Sequence, residues 1–170
     1  MVKNGLEIKA VATSEATKKL ASKLGINVIT LAEAKRLDVT IDGADEVDED
    51  FQLIKGGGGA LLREKIVAHN TDLNIIIADS SKSVSRLGKF KLPIETIPFA
   101  TQLIIIELNE MGLKPVQRIV DVDSWDTNIK LSDLEQQLKA IPGIVETGLF
   151  LTSTTLVIIG NGEHATTSKK

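Results

Sequence analysis

The sequence predicts an α/β protein, with an open, mostly parallel sheet, helices on both faces, and a small α+β subdomain. Short β-branched runs alternate with helix-length segments through residue 91, the pattern of a layered α/β sheet. An apolar run at 73–78 fits a parallel strand covered on both faces. The texture changes at Leu92-Pro93-Ile94-Glu95-Thr96-Ile97-Pro98, where two prolines bracket a short strand. These observations divide the chain into an α/β domain of residues 1–91 and 148–170 and a small subdomain of residues 92–147.

Taken in order, Thr13 and Ser14 precede a helical pattern with Ala16, Leu20, Ala21 and Leu24 on one stripe, and Gly25 stands at its C-terminal cap. Residues 26–29 read as a short strand and 31–37 as a short helix. Residues 39–41 are apolar, β-branched and bounded by Gly43, which predicts a buried strand. Helix is expected over 60–69 and strand over 73–78. In the second part, a helix over 99–111 ends at Gly112, and 116–122 reads as a strand. Ser132-Asp133-Leu134-Glu135 has the form of a capping box opening a helix through Ile141. Pro142-Gly143 breaks that helix, strands follow at 145–151 and 156–159, and the polar C-terminus from His164 is expected to fray.

A chain of 170 residues with 42% hydrophobic and 25% charged residues suits a globular protein with one sizeable core. A net charge of −3 argues against a general nucleic-acid binder, and no apolar run is long enough to span a membrane. With no cysteine and no apolar leader, the chain reads as cytoplasmic. Tyrosine is absent and tryptophan occurs once, so base stacking is a poor fit as a mechanism.

The chemistry concentrates between Val39 and Lys65. Asp42 and Asp45 follow a strand, and ligands of open α/β sheets bind beyond strand carboxyl ends. Asp79, Ser80, Ser81 and Lys82 follow the 73–78 strand and should share that rim. The aspartate pair alone also fits a solvated acidic loop, a reading that weakens once Lys55 and Gly56–Gly59 are added. Four consecutive glycines cost backbone entropy, and they suit a loop whose N–H groups approach a ligand beside a helix N-terminus. The run is neither a P-loop nor a dinucleotide fingerprint. Glu64 lies off the apolar stripe of Leu61, Leu62 and Ile66, as a surface glutamate would, yet one turn from the glycines. His69 and His164 stand alone without partners at metal spacing, no serine has a histidine companion, and Asp42, Asp45 and Asp48 do not match a calcium loop, which leaves a metal open but unsupported.

Several strings together resemble the type A ribose-5-phosphate isomerase family. They are Asp42-Gly-Ala-Asp45-Glu46, Lys55-Gly-Gly-Gly-Gly-Ala-Leu-Leu-Arg63-Glu64-Lys65, Ala78-Asp-Ser-Ser-Lys82 and Leu87-Gly-Lys-Phe90. The Leu92 to Pro98 strand and Ile141-Pro-Gly-Ile-Val-Glu-Thr-Gly-Leu-Phe150 fit as well, and the likeness spans about residues 6–160. The resemblance implies a cofactor-free aldose–ketose isomerisation through an enediolate. Glu64 would carry the proton between C1 and C2, while Asp42, Asp45 and Lys55 would open the ring and stabilise the oxyanion. Gly56, Gly57, Gly58 and Lys82 would bind substrate, and no metal would be needed. The small subdomain would be ferredoxin-like, with a strand in doubt because Val120-Asp-Val-Asp-Ser-Trp-Asp-Thr-Asn128 is short for that region. Family members also carry a further N-terminal strand and a Gly-Thr-Gly-Ser-Thr phosphate loop, which this sequence does not show. An edge exposed by that difference invites a homodimer or higher homo-oligomer. A non-catalytic sugar-phosphate-binding or regulatory paralogue, or a partner subunit, would use the same residues.

Overall fold

The structure, a computed structural model, describes residues 5–116, 120–123, 125 and 128–170. The chain opens with β1 (Lys9–Ala10), α1 (Glu15–Lys23), β2 (Asn27–Val28), α2 (Leu31–Ala34) and β3 (Leu37–Asp42). Then come β4 (Glu46–Val47), β5 (Leu53–Ile54), α3 (Leu61–His69) and β6 (Thr71–Asp79). The middle holds β7 (Leu92–Thr96), α4 (Thr101–Glu110), β8 (Pro115–Val116), β9 (Val120–Val122) and α5 (Leu131–Lys139). Four strands close it: β10 (Ile144–Thr147), β11 (Leu149–Phe150), β12 (Leu156–Asn161) and β13 (His164–Lys169).

The main sheet has the order β13-β12-β6-β3. β6 pairs in parallel with both β3 and β12, and β13 is antiparallel to β12. A second sheet, β10-β7-β9-β8, is antiparallel and packs with α4 and α5 around Leu92, Ile94, Ile104, Leu108, Leu134 and Leu138. A three-stranded ribbon, β11-β5-β4, bridges the two. Its Ile54 and Leu149 belong to the larger apolar cluster, while Leu53 and Phe150 join the smaller one around Ile76. The α/β class with an α+β neighbour is therefore present, and all four strands of the second sheet exist among the described residues.

Several local expectations change. Val39 and Ile41 lie in a strand but are exposed, Ile41 at 64%, on a sheet face that they share with Ile77 of the interior strand β6. Ile77 of β6 is likewise half exposed, so that strand is not covered throughout. The Leu20 and Leu24 stripe of α1 faces outward, since periodicity identifies an apolar face without specifying what covers it. The helix expected over 31–37 stops at Ala34, and Leu37 already pairs with Thr71. The Ser132 capping box does not form. Leu131, packed against the larger core, draws the helix start back to Lys130, and the Lys130 carbonyl accepts the amides of Asp133 and Leu134. The strand expected over 116–122 is β9 preceded by β8, with residues 117–119 outside the described set. The C-terminal stretch is no frayed tail: a two-residue turn at Gly162-Glu163, with Gly162 at φ +61°, folds it back as β13.

Candidate active site

The ribbon brings the site together. Glu46 stands opposite Ile54, and the Asp45 amide donates to the Ile54 carbonyl at 2.8 Å, so Asp45 lies beside the exit of β5. The next residue, Lys55, donates its own amide to the Gly148 carbonyl at 2.9 Å. A Cβ on Gly148 would collide with the Lys55 carbonyl, which explains a glycine between β10 and β11. Lys55 is thus fixed on both sides before the glycine loop begins.

Its side chain is 5% exposed and reaches three acceptors. Lys55 Nζ lies 3.1 Å from Asp42 Oδ2 and 3.2 Å from Glu64 Oε2, and donates to the Gly43 carbonyl. Asp42 is at the carboxyl end of β3, where the open-sheet rule locates ligand groups. Glu64 sits in the first turn of α3, where the helix N-terminus favours negative charge. Its side chain is only 16% exposed, so the surface position suggested by its place off the apolar stripe does not hold. The residues that α3 buries are Leu61, Val67 and Ala68, with Ile66 of the expected stripe exposed, and Glu64 is buried where it meets Lys55.

Electrostatics single out Glu64. Burial pushes its pKa above the ordinary glutamate value, the charges of Asp42 and Asp45 push the same way, and the Lys55 ammonium pulls it partly back. Glu64 Oε2 is buried and has no aligned hydrogen-bond donor, even with Lys55 Nζ at ion-pair distance. A desolvated carboxylate with a raised pKa and a free lone pair is a proton acceptor poised for a bound molecule.

Asp45 is tied instead to the glycine loop, its Oδ2 accepting the Gly57 amide at 2.8 Å. Gly56 adopts φ +112°, a conformation that favours glycine, and any Cβ there would press on Leu61. A Cβ at Gly57 would stand 2.9 Å from both Asp45 Oδ1 and Phe90 Cζ, whereas Gly58 faces open space. Gly57→Ala is therefore expected to destabilise the fold by about 1–3 kcal/mol through overpacking and to weaken substrate capture. Thermal denaturation and steady-state kinetics would check both; an unchanged KM would mean that the loop does not meet the substrate.

Gly56–Gly59 line a cavity of about 520 Å³ together with Lys89, Phe90, Lys91 and Asp121. Lys82 lies with Asp79 on a shallower hollow at the ends of β6 and β12, and meets the site through Phe90, its Nζ 5.7 Å from the ring centroid. Asp79 itself is exposed and accepts from the Ser81 hydroxyl and amide, bonds that lower its pKa, so it forms a local turn and does not join the Lys55 cluster. A cleft of about 900 Å³ opens elsewhere, around Lys65, His69 and α5. Its Lys65 donates to the Thr147 and Leu149 carbonyls at 2.8 and 2.7 Å and to Glu146 at 2.9 Å, fastening α3 to the segment that holds Lys55. No cluster of acidic, histidine or cysteine side chains able to hold a metal occurs among the described residues.

Three groups escaped the sequence reading. Glu46 is 3% exposed although it belongs to an acidic string, and Phe90 packs against Gly57. The Phe150 ring lies between two ammonium groups, 5.6 Å from Lys55 Nζ and 4.8 Å from Lys65 Nζ. Each of these contacts joins segments far apart in sequence, so no local pattern reveals it.

Comparison with known proteins shows the family. The family model described as ribose 5-phosphate isomerase A (phosphoriboisomerase A) matches residues 9–164. The ribose-5-phosphate isomerase A of Levilactobacillus brevis is 47% identical over 174 residues, 94% of this chain and 76% of that protein. That of Sphingopyxis alaskensis is 42% identical over 175 residues, 95% of this chain and 77% of its own. Among solved structures, ribose 5 phosphate isomerase A from Neisseria gonorrhoeae superposes with a TM-score of 0.92 at 40% identity, covering 98% of this chain and 80% of that one. A D-ribose-5-phosphate isomerase in complex with phospho-erythronic acid gives 0.93 at 34% identity, covering 99% and 82%. With the family model matched over residues 9–164 and these likenesses in sequence and fold, the chain belongs to the ribose 5-phosphate isomerase A family.

Proposed function

We infer that this protein interconverts ribose 5-phosphate and ribulose 5-phosphate, as a cofactor-independent isomerase of pentose phosphate metabolism. The observation that carries the reading is Glu64, desolvated and lacking an aligned donor, 3.2 Å from the buried Lys55 ammonium. In the open-chain aldose, the Glu64 carboxylate takes the C2 proton. The C–H electrons form the C1=C2 bond, and charge moves onto O1. Lys55 stabilises that oxygen, the kind of preorganised electrostatic help worth most in a water-poor site. The O2 proton then passes to O1, the O2 electrons form the C2 carbonyl, and return of the Glu64 proton to C1 gives the ketose. The step is an internal redox exchange and balances without any external oxidant or reductant.

Asp42 and Asp45 serve ring opening, which removes the anomeric hydroxyl proton and supplies one to the ring oxygen. The backbone of Gly56, Gly57 and Gly58 and the Lys82 ammonium hold the sugar phosphate. The phospho-erythronic acid bound by the related isomerase supports this reading, since a planar carboxylate on a sugar-phosphate frame resembles the enediolate. Residues 1–91 with 148–170 form the catalytic domain and residues 92–147 the small subdomain, a division supported by the separate β10-β7-β9-β8 sheet, although the larger apolar cluster draws on both parts.

We place the enzyme in the cytoplasm as a homo-oligomer, without nucleic-acid or membrane partners. The acidic balance and the lack of cysteine support the compartment. No described helix is long and apolar enough to cross a membrane. The exposed apolar residues of β3 and α4, and Phe99 at 99% exposure, support self-association. Purified protein given ribose 5-phosphate is expected to form ribulose 5-phosphate without added metal or nucleotide. A folded protein that leaves the aldose unchanged would overturn the assignment.

A further inference from the structure

We propose that Glu46 is a positioning residue of this isomerase, acting on substrate capture through Phe90. The proposal rests on the isomerase reading above. Glu46 is buried at 3% exposure, and its two carboxylate oxygens accept backbone amides rather than facing a cation: Oε2 from Gly88 at 2.8 Å and Oε1 from Phe90 at 2.6 Å. Burying a carboxylate is costly unless its oxygens are fully used, and here both are used on one irregular loop. That loop is also joined to β4 by the Val84 amide, which donates to the Val47 carbonyl at 2.9 Å. Gly88, at φ +125°, allows the backbone to turn both amides toward one carboxylate.

The held residue, Phe90, touches two parts of the binding region. Its ring edge is pressed against Gly57, whose amide holds Asp45, and its face is approached by Lys82 Nζ at 5.7 Å. Glu46 thus fixes the ring that sets the glycine loop on one side and the Lys82 ammonium on the other. A carboxylate one residue from Asp45 organises the phosphate side of the pocket without touching the sugar. The geometry separates its effect from that of Glu64: it governs how substrate is held, whereas Glu64 governs proton transfer.

The test is Glu46→Gln, which keeps one acceptor and turns an amide NH₂ toward the second backbone N–H. Losing one charge-assisted bond predicts a KM for ribose 5-phosphate roughly 10-fold or more above wild type, with kcat changed by less than about 3-fold. Assays are run well below the melting temperature of the variant, so that a purely structural role leaves both constants unchanged. In a double-mutant cycle with Lys82→Ala, the two KM effects are expected to be strongly non-additive, because both act through the Phe90 ring. If Glu46→Gln does not fold, Phe90→Leu takes its place, with the same KM rise and the same coupling to Lys82→Ala. Wild-type KM in the folded variant, or effects that simply multiply, would overturn the proposal. An inactive wild type would instead refute the isomerase reading itself, so the two failures are distinguishable.

Discussion

Glu64→Gln is expected to lower kcat for ribose 5-phosphate isomerisation by about 10²- to 10⁴-fold, the usual worth of a positioned general base. Glutamine matches glutamate in shape and keeps an oxygen near Lys55, so substrate affinity and the fold should change little. Stability should even rise slightly, because an ionised carboxylate with a raised pKa is held at a cost. The folded-state pKa of Glu64 lies above its unfolded value. Its protonated form therefore favours the fold fully below the unfolded pKa, and that advantage is lost as pH rises through the folded one. The same shift sets the rate profile: the acid limb of kcat/KM should fall at a higher pH than an ordinary glutamate would give. Asp42→Asn, by removing a like charge, should move that limb down. A wild-type kcat in Glu64→Gln, measured with the folded protein, would remove Glu64 from the chemistry.

The second large effect is expected at Lys55. Lys55→Met preserves length and leaves Asp42 and Glu64 facing each other without their shared cation, 3.1 and 3.2 Å from where Nζ stood. Removing one member of a buried ionic group costs about 3–5 kcal/mol, chiefly through the charges left uncompensated. Loss of the oxyanion partner should lower kcat by a further 10²- to 10³-fold, roughly the worth of one preorganised donor. The pH dependence gives the sign. Lys55 lowers the Glu64 pKa toward normal, so in Lys55→Met that pKa rises further and the acid limb of the residual activity moves to higher pH. The stability deficit should narrow on acidification, when the abandoned carboxylates take up protons. Chemical denaturation at two pH values measures this, and a deficit independent of pH would show that the carboxylates do not depend on Lys55.

The sequence made the acidic strand end, the lysine and the glycine run visible because each obeys a local rule. A β-branched run fixes where Asp42 must sit, and four glycines before a helix mark a close backbone approach. Glu64 was visible only by its place in the chain; it is buried against Lys55, which leaves the end of β5, a strand of two residues with almost no periodic signal. For the same reason Glu46 reads as one acid among several, although it is the most buried of them. Edge position was equally hidden: Val39 and Ile41 have the composition of an interior strand, and only pairing shows that β3 has a neighbour on one side. The hairpin of β12 and β13 was missed because His164–Lys169 is polar on both faces, so the Asn161-Gly162 turn signal has no patterned strand after it.

The most direct measurement is the isotopic content of ribulose 5-phosphate formed from ribose 5-phosphate in D₂O, read by proton NMR at C1. A proton carried by the partly accessible Glu64 carboxylate exchanges with solvent while the enediolate waits, so deuterium should appear at C1 in the wild-type product. Product that still carries only protium at C1 after many passages through the equilibrium would contradict proton transfer by a carboxylate and point to a direct hydride shift.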